Sequence, residues 1–114
     1  MVFISSCETK QKYIQRISKE FITAILTKDY KKAETYLYCG NKKYGFITDN
    51  KQELYKYFDN INRRMLIQNI FFNEYEFEND NFTIVFNTFN DNKVVINFYE
   101  NKTFGYGITN IYVY

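Results

Sequence analysis

Residues 79–103 read NDNFTIVFNTFNDNKVVINFYENKT, and this stretch decides the fold. Apolar and polar residues alternate between three polar turns, which are Asn79-Asp80-Asn81, Asn90-Asp91-Asn92 and Asn101-Lys102-Thr103. Alternation with a period of two indicates half-buried strands, and polar turns at even spacing indicate tight hairpins. The stretch therefore predicts the middle of an antiparallel meander, with one further strand on each side of it.

Before Arg64 the apolar residues recur every three or four positions instead, which is typical of amphipathic helices. We predict a long helix over Glu8–Thr27, a short one over Asp29–Tyr38 and a third over Asn50–Arg64. Residues 41–49 are expected to form a loop. The fold class is therefore α+β, with N-terminal helices packed on a curved antiparallel four-stranded meander, and residues 1–114 form a single domain.

The chain is expected to be extended over residues 65–78. Leu66–Phe72 do not alternate cleanly, which indicates either a bulge or burial of both faces. In the second part, side chains alternate between two faces. Phe71, Tyr75 and Phe77 are predicted on one face, and Glu74, Glu76 and Glu78 on the other. Carboxylates two residues apart on one strand lie about 7 Å from each other, so they suit a solvated face better than a metal site. We predict no metal ligands.

Apolar faces of the helices and strands should meet in one core. The predicted core residues are Ile17, Phe21, Ile25, Leu37, Leu54, Phe58, Phe77, Ile84, Phe86, Ile96, Phe98 and Ile108. In the last strand, Gly105 and Gly107 lie two residues apart on one face. Glycines so placed let a sheet bend, which is the preferred interpretation, or let a helix or ligand approach closely.

Charge is distributed unevenly along the chain. The net charge is +2, but all but two of the 15 basic residues lie in the first 64 positions. The helices should therefore carry a positive field and the sheet a negative one, which would orient the molecule on a charged partner. Arg63, Arg64, Lys31 and Lys32 are the candidate partner-binding residues. The alternative for the arginine pair is stabilisation of a helix end through the helix dipole.

The two cysteines, Cys7 and Cys39, have neither a CxxC nor a metal-binding spacing. Two reduced thiols are the simpler prediction, and a bridge between them is the alternative. Ile4-Ser5-Ser6-Cys7 also resembles the lipobox of bacterial lipoproteins, in which the cysteine is lipidated. The apolar stretch before it is shorter than the roughly 7–15 residues of a signal peptide, so lipidation at Cys7 would require a start further upstream.

The order of elements resembles the cone-shaped α+β fold of nuclear transport factor two, ketosteroid isomerase and their cystatin-like relatives. The segment FITAILTKDYKKAETYL, residues 21–37, is similar to the first helix–turn–helix of that family. The resemblance implies a helix-filled cone of sheet. It does not fix a function, because the fold hosts enzymes, small-ligand binders, immunity proteins and dimerisation modules.

Catalytic chemistry is not favoured by the residue types present. The chain has no histidine and four glycines, none of them in a phosphate-binding motif. Ser–His–Asp and Cys–His catalysis are therefore excluded, as is most general-base chemistry near neutral pH. A tyrosine–aspartate proton-transfer pair remains the enzymatic alternative. We predict no catalytic residues and no cofactor.

The sequence is thus most consistent with a non-enzymatic, cytoplasmic binding protein that docks on a macromolecule, for example an inhibitor or immunity-type protein of a phage or mobile element. A protein partner is expected first. RNA, or a protein–RNA complex, is an alternative because basic residues are interleaved with tyrosines in the helical half. A homodimer is also compatible with the sequence. The competing hypothesis is a lipoprotein anchored at the bacterial cell envelope, with a small-ligand-binding cone.

Overall fold

The computed structural model describes residues 9–38, 50–66, 68–80, 82–89, 91–101 and 105–114. Within them, the elements are α1 (Lys10–Leu26), α2 (Tyr30–Glu34), α3 (Lys51–Leu66), β1 (Ile70–Glu78), β2 (Thr83–Thr88), β3 (Lys93–Asn101) and β4 (Gly105–Val113). The strands form one antiparallel sheet in the order β1-β2-β3-β4. The predicted α+β class and the predicted meander are therefore confirmed.

Each helix begins at a polar residue that caps it. Thr9, Asp29 and Asn50 precede α1, α2 and α3, and each side-chain oxygen accepts a hydrogen bond from the backbone N–H three residues later at 3.2–3.3 Å. These bonds satisfy N–H groups that have no partner inside the helix. Asp29 and Asn50 are the helix starts that the sequence predicts.

The second helix is shorter than predicted, since α2 ends at Glu34 and the chain then pairs with the sheet. The Tyr38 N–H donates to the Ile108 carbonyl at 2.9 Å, and the Ile108 N–H donates to the Tyr36 carbonyl at 3.0 Å. Leu37 thereby forms a parallel bridge with Ile108 on the edge of β4. Hydrogen bonds to a sheet edge have replaced those that a longer helix would have made.

The third helix is longer than predicted and ends at Leu66, not near Arg64. Leu54, Phe58, Ile61 and Met65 are all buried along one side of α3. Their spacing of four, three and four residues is that of one helical face. Met65 therefore continues the apolar face of the helix, and its assignment to an extended segment was wrong.

A bulge interrupts β1 and changes which face its side chains occupy. Phe71 lies opposite Asn87 and Tyr75 lies opposite Phe86, so residues 72–74 have no opposite residues on β2. Phe72 turns toward the core and packs edge-on against Phe86, with ring centroids 5.8 Å apart. Phe71 lies on the other face of the strand, contrary to the prediction that it shares a face with Tyr75 and Phe77, because the extra residues alter the alternation.

The core lies between the helices and one face of the sheet. Eleven of the twelve predicted core residues are buried, and Phe77 is half-buried at its margin. The largest fully buried side chains are Tyr13, Phe21, Phe58, Phe86, Ile14, Ile22, Ile25, Leu54, Met65, Ile84, Ile96 and Ile108. Apolar side chains of the described residues therefore pack together between the helices and the sheet.

One buried polar side chain joins two helices inside this core. Asn62 is 1% exposed, and its Nδ2 donates to the Ile25 carbonyl at 2.8 Å. Ile25 is in the last turn of α1, where carbonyl groups lack partners within the helix. This hydrogen bond fixes α3 against the C-terminal end of α1.

Replacing Phe58 with alanine should destabilise the protein strongly. Phe58 is fully buried, and its ring centroid lies 5.8 Å from that of Phe21 and 5.7 Å from that of Tyr30. Phe58→Ala removes these contacts and leaves a cavity, so the free energy of unfolding should fall by about 3–5 kcal/mol. Urea denaturation measures it. The control is Phe89→Ala, at a side chain 69% exposed, which should change it by less than about 0.5 kcal/mol. Equal effects would contradict the assigned helix faces.

Gly107 provides a second test, because the Tyr36–Tyr38 segment packs directly against it. A Cβ atom added at Gly107 would lie 2.5 Å from the Tyr38 Cα atom, which is backbone and cannot rotate away. At this position the close-approach interpretation of the glycine is therefore supported. Gly107→Ala should lower the melting temperature by separating Leu37 from the edge of β4. Tyr112→Ala, at an exposed position of the same strand, should lower it much less, and a larger loss there would count against this contact.

Candidate functional site

The position of α1 creates a row of cationic side chains beside the core. The inward face of the helix carries Ile14, Ile17 and Phe21, which are at most 2% exposed. Lys12, Arg16, Lys19 and Thr23 recur at four, three and four residues, so they share an adjacent face. Lys12, Arg16 and Lys19 are the cationic members of this set, and we call them the cationic row. Because the apolar face is fixed against the sheet, this cationic row must lie along the side of the helix, above β1.

The cationic row forms one wall of a groove whose volume is about 790 Å³, which we call the basic groove. Its described lining residues are Lys12, Gln15, Arg16, Lys19, Glu20, Thr23, Lys32, Asn73 and Tyr75. The opposite wall comes from Asn73 and Tyr75 at the bulge of β1, and Lys32 is contributed by α2. The bulge therefore helps to build the groove, since it places Asn73 where a regular strand would not.

Positive charge dominates the basic groove. Four of the lining side chains are cationic and one, Glu20, is anionic. Arg16 is close to Glu20, with 3.8 Å between a guanidinium nitrogen and a carboxylate oxygen. Lys12, Lys19 and Lys32 are exposed and face solvent. An anionic group that enters the groove would therefore meet a surplus of three positive charges, which favours its binding.

The Glu20 carboxylate also accepts a hydrogen bond from the phenol of Tyr36. Burial raises the pKa of Tyr36 to about 12, and the neighbouring carboxylate of Glu20, which accepts a hydrogen bond from the phenol, contributes to the increase. The Glu20 carboxylate is thus engaged by Arg16 on one side and Tyr36 on the other. This arrangement fixes the position of the Glu20 charge at the groove.

Aromatic rings supply the apolar part of the groove. Tyr75 is 38% exposed, and its ring packs edge-on against Phe77 at a centroid distance of 5.6 Å. The Lys19 ammonium lies 5.7 Å from the centroid of the Phe72 ring, within the range of a cation–π contact. Among its described lining residues the groove therefore combines cationic side chains with one exposed aromatic ring, that of Tyr75.

A second cavity of about 360 Å³ lies between α3 and β4. Arg64, Tyr57 and Tyr112 are among its lining residues. The Tyr57 hydroxyl donates to the Ile111 carbonyl, and burial raises the pKa of Tyr57. The cavity has one cationic side chain in its described lining, so it offers a weaker attraction to anions than the basic groove does.

Tyr30 and Asp59 form a tyrosine–carboxylate pair beside Arg63. The Tyr30 hydroxyl donates to the Asp59 carboxylate at 2.8 Å. Burial and, to a smaller extent, the Asp59 carboxylate together raise the pKa of Tyr30 to about 12, and the charge of Arg63 opposes the increase. The phenol therefore holds its proton at neutral pH, and its contact fastens the start of α2 to α3.

The four predicted partner-binding residues do not form one cluster. Lys32 lines the basic groove, and Arg64 lines the cavity beside β4. Lys31 is exposed on α2, and Arg63 lies near the Tyr30–Asp59 pair. The sequence shows the spacing of Lys12, Arg16 and Lys19, and these residues belong to the basic region considered for RNA. The sequence carries no signal that Asn73 and Tyr75 line this groove, because their positions depend on the bulge.

The described residues bear on the hypotheses of metal binding and membrane spanning, but not on those that concern the two cysteines. Among these residues there is no group of three or more cysteine, aspartate or glutamate side chains that could hold a metal ion. Glu74, Glu76 and Glu78 are exposed. Cys7 and Cys39, and with them the lipidation and disulfide hypotheses, lie outside the described residues. In the same part of the chain, no helix has the length and apolar character needed to cross a membrane.

Comparisons with protein-family models, with curated proteins and with solved structures find no match to this chain. The resemblance to the cone-shaped fold of nuclear transport factor two therefore stays a prediction. The site has to be interpreted from its own geometry and charge.

The raised pKa of Tyr36 predicts a loss of stability in alkali. An unfolded tyrosine ionises near pH 10, whereas the folded pKa is about 12. The contribution of Tyr36 is therefore complete below pH 10 and falls as the pH rises toward 12, because the unfolded state releases its proton first. Free energies of unfolding measured by urea denaturation should decline over this range. The decline should be smaller in Tyr36→Phe, and identical pH profiles would contradict the assignment.

Proposed function

We propose that the protein is a non-enzymatic binding protein that docks on a macromolecular partner, in the first place another protein. The observation that carries this proposal is the basic groove, which places Lys12, Lys19 and Lys32 at the surface beside an exposed aromatic ring. Aromatic residues and arginine are enriched at protein interfaces, and a cleft lined by one sign of charge attracts a partner of the opposite sign. Lys31, Arg63 and Arg64 are proposed to extend the contact on either side.

The packing of the interior supports binding over catalysis. An enzyme using a tyrosine and a carboxylate would need both groups to face a cavity that admits a substrate. In the described residues, Tyr30 and Asp59 bond to each other at 2.8 Å beside fully buried Phe58, and their contact joins two helices. Glu20 is engaged by Arg16 and Tyr36. Each of these carboxylates therefore has a structural partner.

We further propose that the protein works in the cytoplasm as an inhibitor or immunity-type protein. A small domain with a filled core and a charged groove acts by occupying a surface of its target. RNA and a second copy of the chain are alternative partners. The lipoprotein hypothesis rests on Cys7 and the residues before it, and no feature of the described residues favours it.

The proposed function is tested by charge reversal at two places. Lys31→Glu/Lys32→Glu, which includes a groove residue, should weaken affinity for the partner about tenfold, since opposed charges at an interface cost binding energy. Arg63→Glu/Arg64→Glu should weaken it less, because neither residue is among those that line the groove. The partner is first isolated from the native host by affinity purification analysed for protein and RNA. Its affinity is then measured at two ionic strengths.

Folding has to be controlled in the same experiment. All four residues are exposed, so reversal should change the free energy of unfolding by less than about 0.5 kcal/mol. Lys56→Glu/Lys93→Glu, at exposed positions outside the groove, is the control with the same change in net charge. Turnover of a small molecule by the purified protein would defeat the proposed function. Unchanged affinity in both double variants would indicate that the partner contacts the sheet instead of the helices.

A further inference from the structure

We propose that the basic groove binds an acidic polypeptide segment in an extended conformation, with its carboxylates directed at Lys12, Arg16 and Lys19. This inference rests on the proposed function and specifies the chemistry of the partner. The groove is lined by four cationic side chains and one anionic side chain among the described residues. Charge complementarity therefore selects an anionic occupant, and the remaining question is which kind of anion the groove fits.

The spacing of the cationic row matches an extended acidic peptide. Side chains four residues apart on a helix are separated by about 6 Å along its axis. In an extended chain, side chains on one face repeat about every 6.6–7 Å. A segment with acidic residues at alternate positions can therefore place successive carboxylates near Lys12 and Arg16. The helix from Lys12 to Thr23 is about 16 Å long, which accommodates about five extended residues.

The neutral polar side chains of the groove suit a peptide backbone. Gln15 lies on the cationic side of the groove, and Asn73 lies on the opposite side, at the bulge of β1. Each carries an amide that can donate to a carbonyl and accept from an N–H group. A peptide offers both kinds of group at every residue apart from proline, whereas the phosphodiester backbone offers acceptors. A polypeptide can therefore pair with both the donors and the acceptors of these amides, whereas a row of phosphates can pair only with the donors.

Two features weigh against nucleic acid in this groove. Proteins that bind single strands use several aromatic side chains on which successive bases stack. Tyr75 is the aromatic residue in the described lining, and its ring is held edge-on against Phe77 at an interplanar angle of 84°. Glu20 also places a negative charge in the lining, which would repel a continuous row of phosphates. A peptide can avoid it by carrying a neutral residue at that position.

The test measures binding of three fluorescein-labelled probes by fluorescence anisotropy. The probes are an alternating Glu–Ser peptide of about ten residues, the corresponding Gln–Ser peptide, and a uridine oligonucleotide of similar extended length. At about 20 mM salt, where charge interactions reach further than at physiological ionic strength, the Glu–Ser peptide should bind most tightly. Its affinity should fall steeply when the salt concentration is raised to about 300 mM.

Charge-reversed variants locate the binding. Lys12→Glu/Lys19→Glu should weaken the Glu–Ser peptide about tenfold or more, because two attractive contacts become repulsive. The matched control, Lys56→Glu/Lys93→Glu, makes the same change in net charge at exposed positions outside the groove, and should weaken it by no more than about twofold. Lys12→Gln/Lys19→Gln should give an intermediate loss. Thermal melts confirm that each variant remains folded.

The outcomes separate this inference from the proposed function. Equal weakening in the groove and control variants, or tighter binding of the oligonucleotide than of the Glu–Ser peptide, would overturn the acidic-peptide assignment. Failure of both the Glu–Ser peptide and the oligonucleotide to bind would overturn it as well. In all of these cases the proposed function would still be decided by whether the partner isolated from the host forms a stoichiometric complex. Failure of that complex, with groove-dependent peptide binding intact, would instead reject the proposed docking function.

Discussion

The burial of one face of α1 against the sheet is the constraint on which the remaining features depend. Ile14, Ile17 and Phe21 are almost inaccessible to solvent, so the rotation of the helix about its axis is fixed. Once that rotation is fixed, Lys12, Arg16 and Lys19 have to lie along its flank. The basic groove is therefore a consequence of core packing, and mutations in the core would be expected to disturb the groove before they disturb other surfaces.

The features that the sequence predicts well are those set by short-range periodicity. The alternation in residues 83–99 depends on neighbours two positions apart, and the core faces of β2 and β3 follow from it. Asp29 and Asn50 were also predictable as helix starts, because a capping side chain acts on the backbone only three residues away. The cationic row of α1 is also predictable in this way, since its spacing is visible in the sequence. The opposite wall of the basic groove is not visible there.

The features that were missed depend on contacts between distant parts of the chain. A bulge was one of two interpretations of Leu66–Phe72, but its position at residues 72–74 is fixed by the register of β1 against β2. The end of α2 is set by two hydrogen bonds with Ile108, about seventy residues away: the Tyr38 N–H donates to the Ile108 carbonyl, and the Ile108 N–H donates to the Tyr36 carbonyl. Asn62 is polar, yet it is buried and donates a hydrogen bond to the Ile25 carbonyl in α1. Local propensity carries no information about such partners.

The segment around Leu37 also has a consequence for the solubility of the protein. An exposed strand edge is a template on which other chains can add, and it promotes aggregation. Within the described residues, the β4 edge is covered over part of its length by the bridge between Leu37 and Ile108. The β1 edge carries a bulge and the exposed charges of Glu76 and Glu78. Both edges of the sheet thus carry features that oppose the addition of another strand.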